Sequence, residues 1–146
     1  MTPLISEVLS KVAKAKTKDQ KIRILRDHDT TPLRMIIKAS FDPSIEWALQ
    51  EGDVPYTKND APDGTEHTNL SQESRLLFHL IKGGNPKLTA LRRENMFIQM
   101  LEGLSEEEAE IVIAAKDGAL HRKYKGLSDA VVKEAFGWTE EYMQPE

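Results

Sequence analysis

The chain has 146 residues, 39% of them apolar and 30% charged, which suits one soluble domain with its own hydrophobic core rather than a disordered segment. It contains no cysteine, which excludes disulfides, thiolate metal sites and a thiol nucleophile. A net charge of −4 argues against a uniformly basic nucleic-acid binder, and with no apolar run of about 18 residues and no signal-like N-terminus the expected location is cytoplasmic.

Helix punctuation runs through nearly the whole chain. Thr2-Pro3 supplies an N-cap and a first-turn proline, and Leu4, Ile5, Val8, Leu9 and Val12 follow at helical spacing. Thr17-Lys18-Asp19-Gln20 matches a capping box, with Ile22, Ile24 and Leu25 as the apolar set behind it. Thr31-Pro32 opens a third helix whose Leu33, Met35, Ile36, Ile37 and Ala39 can build a buried face. Asp42-Pro43-Ser44 is turn chemistry, and 45–49 reads as one amphipathic turn or a short extended piece. The segment 51–69 then gathers Gly52, Pro55, Pro62 and Gly64 among acidic residues, which predicts a long acidic surface loop.

Asn69 with Gln72 predicts a fourth, central helix carrying Leu76, Leu77, Phe78, Leu80 and Ile81, ended by Gly83-Gly84. Asn85-Pro86 predicts the start of a fifth, running to about Leu101. Ser105-Glu106-Glu107-Glu108 is a capping box with acids where the helix dipole favours them, and Gly118 ends the sixth helix. Ser128 caps a seventh, with Ala130, Val131, Ala135 and Phe136 apolar. No strand pair or repeat is apparent. The expected fold is all-α, a single domain of about seven helices over 1–146 with an acidic tail at 139–146.

Charge is segregated along the chain. Residues 1–40 carry nine Lys/Arg against four acids, whereas 41–74 carry one lysine against eight acids. A local basic face can therefore survive an acidic total. Two glycine-bearing basic turns stand out: Lys82-Gly83-Gly84-Asn85-Pro86-Lys87, and Lys116 through Gly118 to Arg122, Lys123 and Lys125. Free amides at a helix start with cations beside them favour anions, so both are read as phosphate-contact turns. Each is also ordinary capping grammar beside a solvated loop.

Motifs for catalysis are absent. There is no Gly-x-Ser-x-Gly and no Walker-type glycine loop, and His28, His67, His79 and His121 form no metal-ligating pair. His79, among apolar neighbours, reads as a core or boundary residue. Asp60, Asp63 and Glu66 lack the ligand order of a calcium loop. Neither a cofactor nor a metal is expected, nor an enzymatic activity.

Four stretches, Leu9-Ser10-Lys11-Val12-Ala13 with 17–25, Leu33 to Asp42, Leu80-Ile81-Lys82-Gly83-Gly84-Asn85, and Lys116-Asp117-Gly118 with the helix ending in Ala135-Phe136-Gly137-Trp138, carry a family likeness. They resemble the N-terminal DNA-binding domain of T-even-type phage DNA ligases, an all-helical module. The chain departs from that family in its more acidic loop 51–69, its longer turn between Gly118 and Ser128, and its lack of the Lys-x-Asp-Gly nucleotidyl-transfer motif and domain. The resemblance implies a stand-alone, phage-encoded relative of the module, acting in the host cytoplasm without ligating. It implies duplex DNA as partner, gripped through phosphates by Lys82, Asn85 and Lys87 on one turn and Lys116, Arg122, Lys123 and Lys125 on the other. Gly83, Gly84 and Gly118 would permit close approach, and Arg34 and Lys38 would add contacts from the third helix. The alternative is an adaptor for replication or transcription proteins such as a clamp or polymerase. It would act through loop 51–69 and the acidic tail, with Trp138, Tyr142 and Met143 exposed.

Overall fold

In a computed structural model that describes residues 5–49, 56, 70–85 and 87–139, the protein is built from helices alone, with a single isolated β-bridge and no strand among these residues. The elements are α1 (Ile5–Lys14), α2 (Lys18–Asp27), α3 (Thr31–Phe41), α4 (Leu70–Glu73), a 3-10 helix (Ser74–His79), α5 (Ala90–Gly103), α6 (Glu106–Lys116), α7 (Leu120–Lys123) and α8 (Asp129–Phe136). The expected cap at Thr2-Pro3, the acidic loop 51–69 apart from Tyr56, and the tail beyond Thr139 with Tyr142 and Met143 lie outside the described residues.

Local chemistry sets most helix starts. The hydroxyls of Thr17, Thr30, Thr89, Ser105 and Ser128 each accept the backbone N–H three residues on, at 3.2–3.3 Å. Each such cap contributes about 1 kcal/mol. The box at Thr17 closes one residue early, because Gln20 Oε1 takes the N–H of Lys16 rather than that of Thr17. At α3 the capping residue is Thr30, so Thr31 is already helical and Pro32 occupies the first turn, where its missing N–H costs nothing.

One buried cluster joins the elements. Leu9, Leu25, Ile36, Leu70, Leu101, Ile111, Leu120 and Val132 are all fully enclosed. Helix α2 packs between α1 and α8, while α6 packs against α1, α3, α5 and α7. Arg26 ties α2 to α8 by donating to the carbonyls of Glu134 (3.0 Å) and Ala135 (3.3 Å), acceptors that the end of α8 leaves unpaired.

The fourth and fifth helices depart from the sequence expectation. Residues 70–79 make one α-helical turn and then a 3-10 helix, so Leu70, Leu77 and Leu80 reach the core while Phe78 stays 46% exposed. The tighter 3-10 winding places side chains three apart in line, and an apolar run with continuous coverage cannot all face inward on it. After it the chain runs extended against 46–48. Ala48 N–H donates to the Leu80 carbonyl and Lys82 N–H to the Glu46 carbonyl, both at 2.8 Å, which makes the Trp47–Ile81 bridge. Residues 45–49 are thus the extended alternative, and the Trp47 indole anchors them to the Ala39 carbonyl at 2.9 Å.

Gly84 shows why the turn after Ile81 needs glycine. A Cβ there would overlap the Phe78 carbonyl oxygen, whereas at Gly83, with φ of +84°, it would meet open space. Gly84→Ala should therefore destabilise the protein by about 2–3 kcal/mol, as expected where a backbone must shift. Gly83→Ala should cost only about 1 kcal/mol, for its left-handed backbone. Urea midpoints at constant m-value measure both. Tyr124 allows a second check. Burial, with Glu107, Glu110 and Glu108 adding to it, raises its phenol pKa far above the ordinary value of 10.0. Folding thus favours the neutral phenol, so its contribution is complete below pH ~10 and is lost as pH rises beyond. In urea titrations on both sides of that pH, Tyr124→Phe should show a shallower alkaline loss of stability than the parent protein.

Candidate nucleic-acid interface

The turn at 82–87 is assembled by Arg93 rather than by a helix start. The Arg93 guanidinium donates to the carbonyls of His79 (2.9 Å), Asn85 (3.2 Å) and Leu88 (3.2 Å), drawing the turn onto the side of α5. Asn85 is itself committed: its Nδ2 lies 2.9 Å from His79 Nδ1 and its Oδ1 accepts the Lys87 N–H at 3.2 Å. His79 is half-buried, as expected for a boundary residue. Because α5 begins at Ala90 behind the Thr89 cap, no helix N-terminus points out of this turn. That overturns the reading of Asn85-Pro86 as a helix start (Pro86 itself lies outside the described residues). The amides of Lys82, Gly84, Lys87 and Leu88 are all donated within the protein. Gly84 makes its close approach to Phe78, not to a ligand. Lys82 is exposed but pairs with Glu46 at 3.2 Å, while Lys87 is exposed with no ion pair among the described residues.

The turn at 116–125 ends the sixth helix at Gly118, as the sequence predicts, but it offers no free amides there. Gly118, with φ of +64°, closes α6: its N–H donates to the Ala115 carbonyl and that of Ala119 to the Ala114 carbonyl at 2.7 Å. This is a Schellman closure, so these amides sit at the negative end of a helix dipole and are consumed there. Lys116 must be corrected as a phosphate contact. Its side chain is 1% exposed and its ammonium lies 2.6 Å from Asp117 Oδ1, so it is held inside the fold. The helical pattern of α6 runs to Lys116 itself, which turns that residue inward. A short helix, α7, occupies what sequence reading left as a turn, and it presents His121, Arg122 and Lys123 to solvent. Lys123 pairs with Glu110 at 2.9 Å and lies over the Tyr124 ring. Arg122 and Lys125 are exposed without an ion pair among the described residues.

From α3, Arg34 is spoken for. It makes two 2.6 Å hydrogen bonds to Asp29, which hold its pKa above the ordinary value, and it stacks over Phe136 at 5.0 Å. Lys38 is half-buried one turn before the end of α3 and has no described ion pair. That end lies against α7: the rings of Phe41 and His121 are 6.2 Å apart, and a Cβ on Gly118 would sit 3.8 Å from the Ser40 carbonyl oxygen. The described contacts thus bring Lys38 and α7 to one region and anchor the 82–87 turn separately, on Glu46, His79 and Arg93. Trp138 is not exposed as expected. It is half-buried with its ring 4.9 Å from that of Phe136, because its N–H closes the end of α8 on the Lys133 carbonyl beyond Gly137.

Sequence reading missed two residues of consequence here. Arg93, which shapes the first turn, gives no sequence signal beyond its charge. Lys21 supports the second from α2, and only the tertiary fold shows it. Among the described residues no group of histidines and carboxylates is placed to hold a metal ion, and no helix is long and apolar enough to cross a membrane.

Comparison with known proteins finds no curated protein and no solved structure that matches. A family match does cover residues 8–122, from the second turn of α1 into α7, and on that extent the chain belongs to the family of unknown function DUF6433.

Proposed function

We propose that the protein binds duplex DNA through its backbone phosphates, without catalysis and without reading base sequence. The observation that carries this is the placement of Arg122 and Lys125. Both are exposed and lack ion pairs among the described residues; Arg122 stands on α7, which packs against the end of α3 that bears Lys38, and Lys125 follows in the loop after it. Cations left unneutralised in a chain of net charge −4 are the ones available to displace counterions from a phosphate backbone. The resemblance of several segments to the DNA-binding domain of phage ligases agrees with this partner. The contacts are assigned to side chains, since the amides of Lys82, Gly84, Gly118 and Ala119 are already donated.

A second reading, contact with a replication or transcription protein, is favoured around the 82–87 turn and the start of α5. There Lys82 is neutralised by Glu46, and Leu91 (69% exposed) and Phe78 (46%) leave apolar surface in solvent. Leu91→Asp should abolish co-elution with a purified clamp or polymerase if that reading holds, and leave DNA binding unchanged.

Fluorescence anisotropy with a labelled duplex of mixed sequence tests the leading reading. Affinity should fall steeply as salt rises. Arg122→Glu with Lys125→Glu should weaken binding at fixed salt by about tenfold or more and flatten the log–log salt slope by about two. Lys82→Gln should change affinity by less than about threefold, because its charge is already paired. Absence of binding by the parent protein at low salt rejects the reading.

A further inference from the structure

Gly126, in the loop between α7 and α8, has φ of +89° and lies directly on the side chain of Lys21. A Cβ at Gly126 would overlap Lys21 Cε and come within 3.2 Å of Cδ and 3.1 Å of Nζ. From beneath this loop the Lys21 ammonium continues to the other side and donates to the carbonyl of Ala15, in the turn between α1 and α2. One lysine side chain thereby joins two loops that are distant in sequence.

The residues flanking this contact are cations. Lys14 and Lys16 stand on either side of Ala15, and Lys125 immediately precedes Gly126; all three are exposed. None of Lys14, Lys16, Lys21 and Lys125 has an ion pair among the described residues. Of the acids of α2 and α8, Asp19, Asp27 and Glu134 line a groove of about 430 Å³ with Arg23 and Arg26, Glu134 approaches Lys18 at 3.9 Å, and Asp129, at the start of α8, pairs with Lys133 at 2.9 Å. The backbone carrying Lys16 is fixed, because its N–H donates to Gln20 Oε1 at 3.1 Å. Lys11 and Lys14 fall in the last turn of α1, whose dipole end carries only about half a unit of negative charge. The helix end cannot neutralise both.

Like charges brought together repel, and a fold tolerates them where an anion arrives to separate them. Resting on the reading of the protein as a duplex-DNA binder, we propose that the α1–α2 turn and the α7–α8 loop form one phosphate-binding edge. In it Lys14 and Lys16 extend the contact begun by Lys125 and Arg122. This assigns the N-terminal lysines a role in binding and sets the edge apart from the 82–87 turn, which the described contacts anchor elsewhere.

The test is anisotropy on the full chain with the same labelled duplex across a salt series, comparing the parent protein with Lys14→Glu/Lys16→Glu. The variant should bind about tenfold or more weakly at fixed salt and lose about two from the salt slope. Its thermal midpoint should be unchanged, since both side chains are exposed. Lys14→Arg/Lys16→Arg should restore binding. If the parent binds duplex and the Glu variant binds within about twofold of it, the edge is overturned while the proposed function stands. If the parent fails to bind duplex at low salt, or is captured only by anionic phosphatidylserine vesicles, the edge and the proposed function fall together.

Discussion

The burial of α6 is the constraint on which the rest of the structure depends. Its middle residues, Ala109, Ile111, Val112 and Ala115, are fully enclosed, and Ile113 and Ala114 are half-buried. A helix that is apolar on nearly every side must be surrounded, because each unburied aliphatic side chain forfeits about 1.5–3 kcal/mol. Helices α1, α3, α5 and α7 supply that surrounding, and α2 and α8 complete the layer beyond α1. The order of the helices along the chain matters less than this requirement to cover one short rod from several sides.

Polar groups at the ends of α6 decide where the covering stops. At its start Ser105 caps the helix, Glu106 and Glu107 reach solvent, and Glu108 turns inward, where its carboxylate accepts the N–H of Leu70 at 3.1 Å. That bond ties the beginning of α4 to the core. At its finish Lys116 is folded in against Asp117, and Gly118 reverses the chain into α7. Removing one partner of a buried ion pair costs far more than removing both, so Lys116 and Asp117 form a structural unit. The charged turn that looks most inviting in the sequence is therefore divided. Its first lysine builds the fold, and its later cations, beyond the glycine, face solvent.

Several features whose cause lies within four residues were legible in the sequence, though the caps at Thr30 and Thr89 were not. The caps at Thr17, Ser105 and Ser128 and the Asp42-Pro43-Ser44 turn are such cases; in the turn Asp42 Oδ1 accepts both the N–H and the hydroxyl of Ser44. The all-helical class follows from the same local signals. Where a distant group decides, the sequence was silent. Residues 70–79 carry enough apolar residues for a full α-helix, yet pairing with 46–48 and the grip of Arg93 on three carbonyls hold the following segment in another course. For the candidate site, Arg122 and Lys125 are exposed. The commitment of Arg34 to Asp29 and Phe136 and the meeting of Lys21 with Gly126 did not follow from any spacing, whereas the inward turn of Lys116 continues the helical pattern of α6.

A glycine beside lysines is ambiguous for a physical reason. The same composition serves a helix start, where unpaired N–H groups attract anions, and a helix end, where a left-handed glycine closes the chain and lysines complement exposed carbonyls. The two differ in the sign of the dipole, and a glycine beside lysines does not by itself give the sign. Gly118 and Gly137, with φ of +64° and +67°, are both helix ends, so the cations nearest them are satisfied in part by the fold. What remains for a ligand is the charge that neither a dipole nor a carboxylate accounts for. On the described residues part of that surplus flanks the place where Lys21 draws the two loops together, and the proposed phosphate backbone would offer it a repeated charge without demanding a pocket.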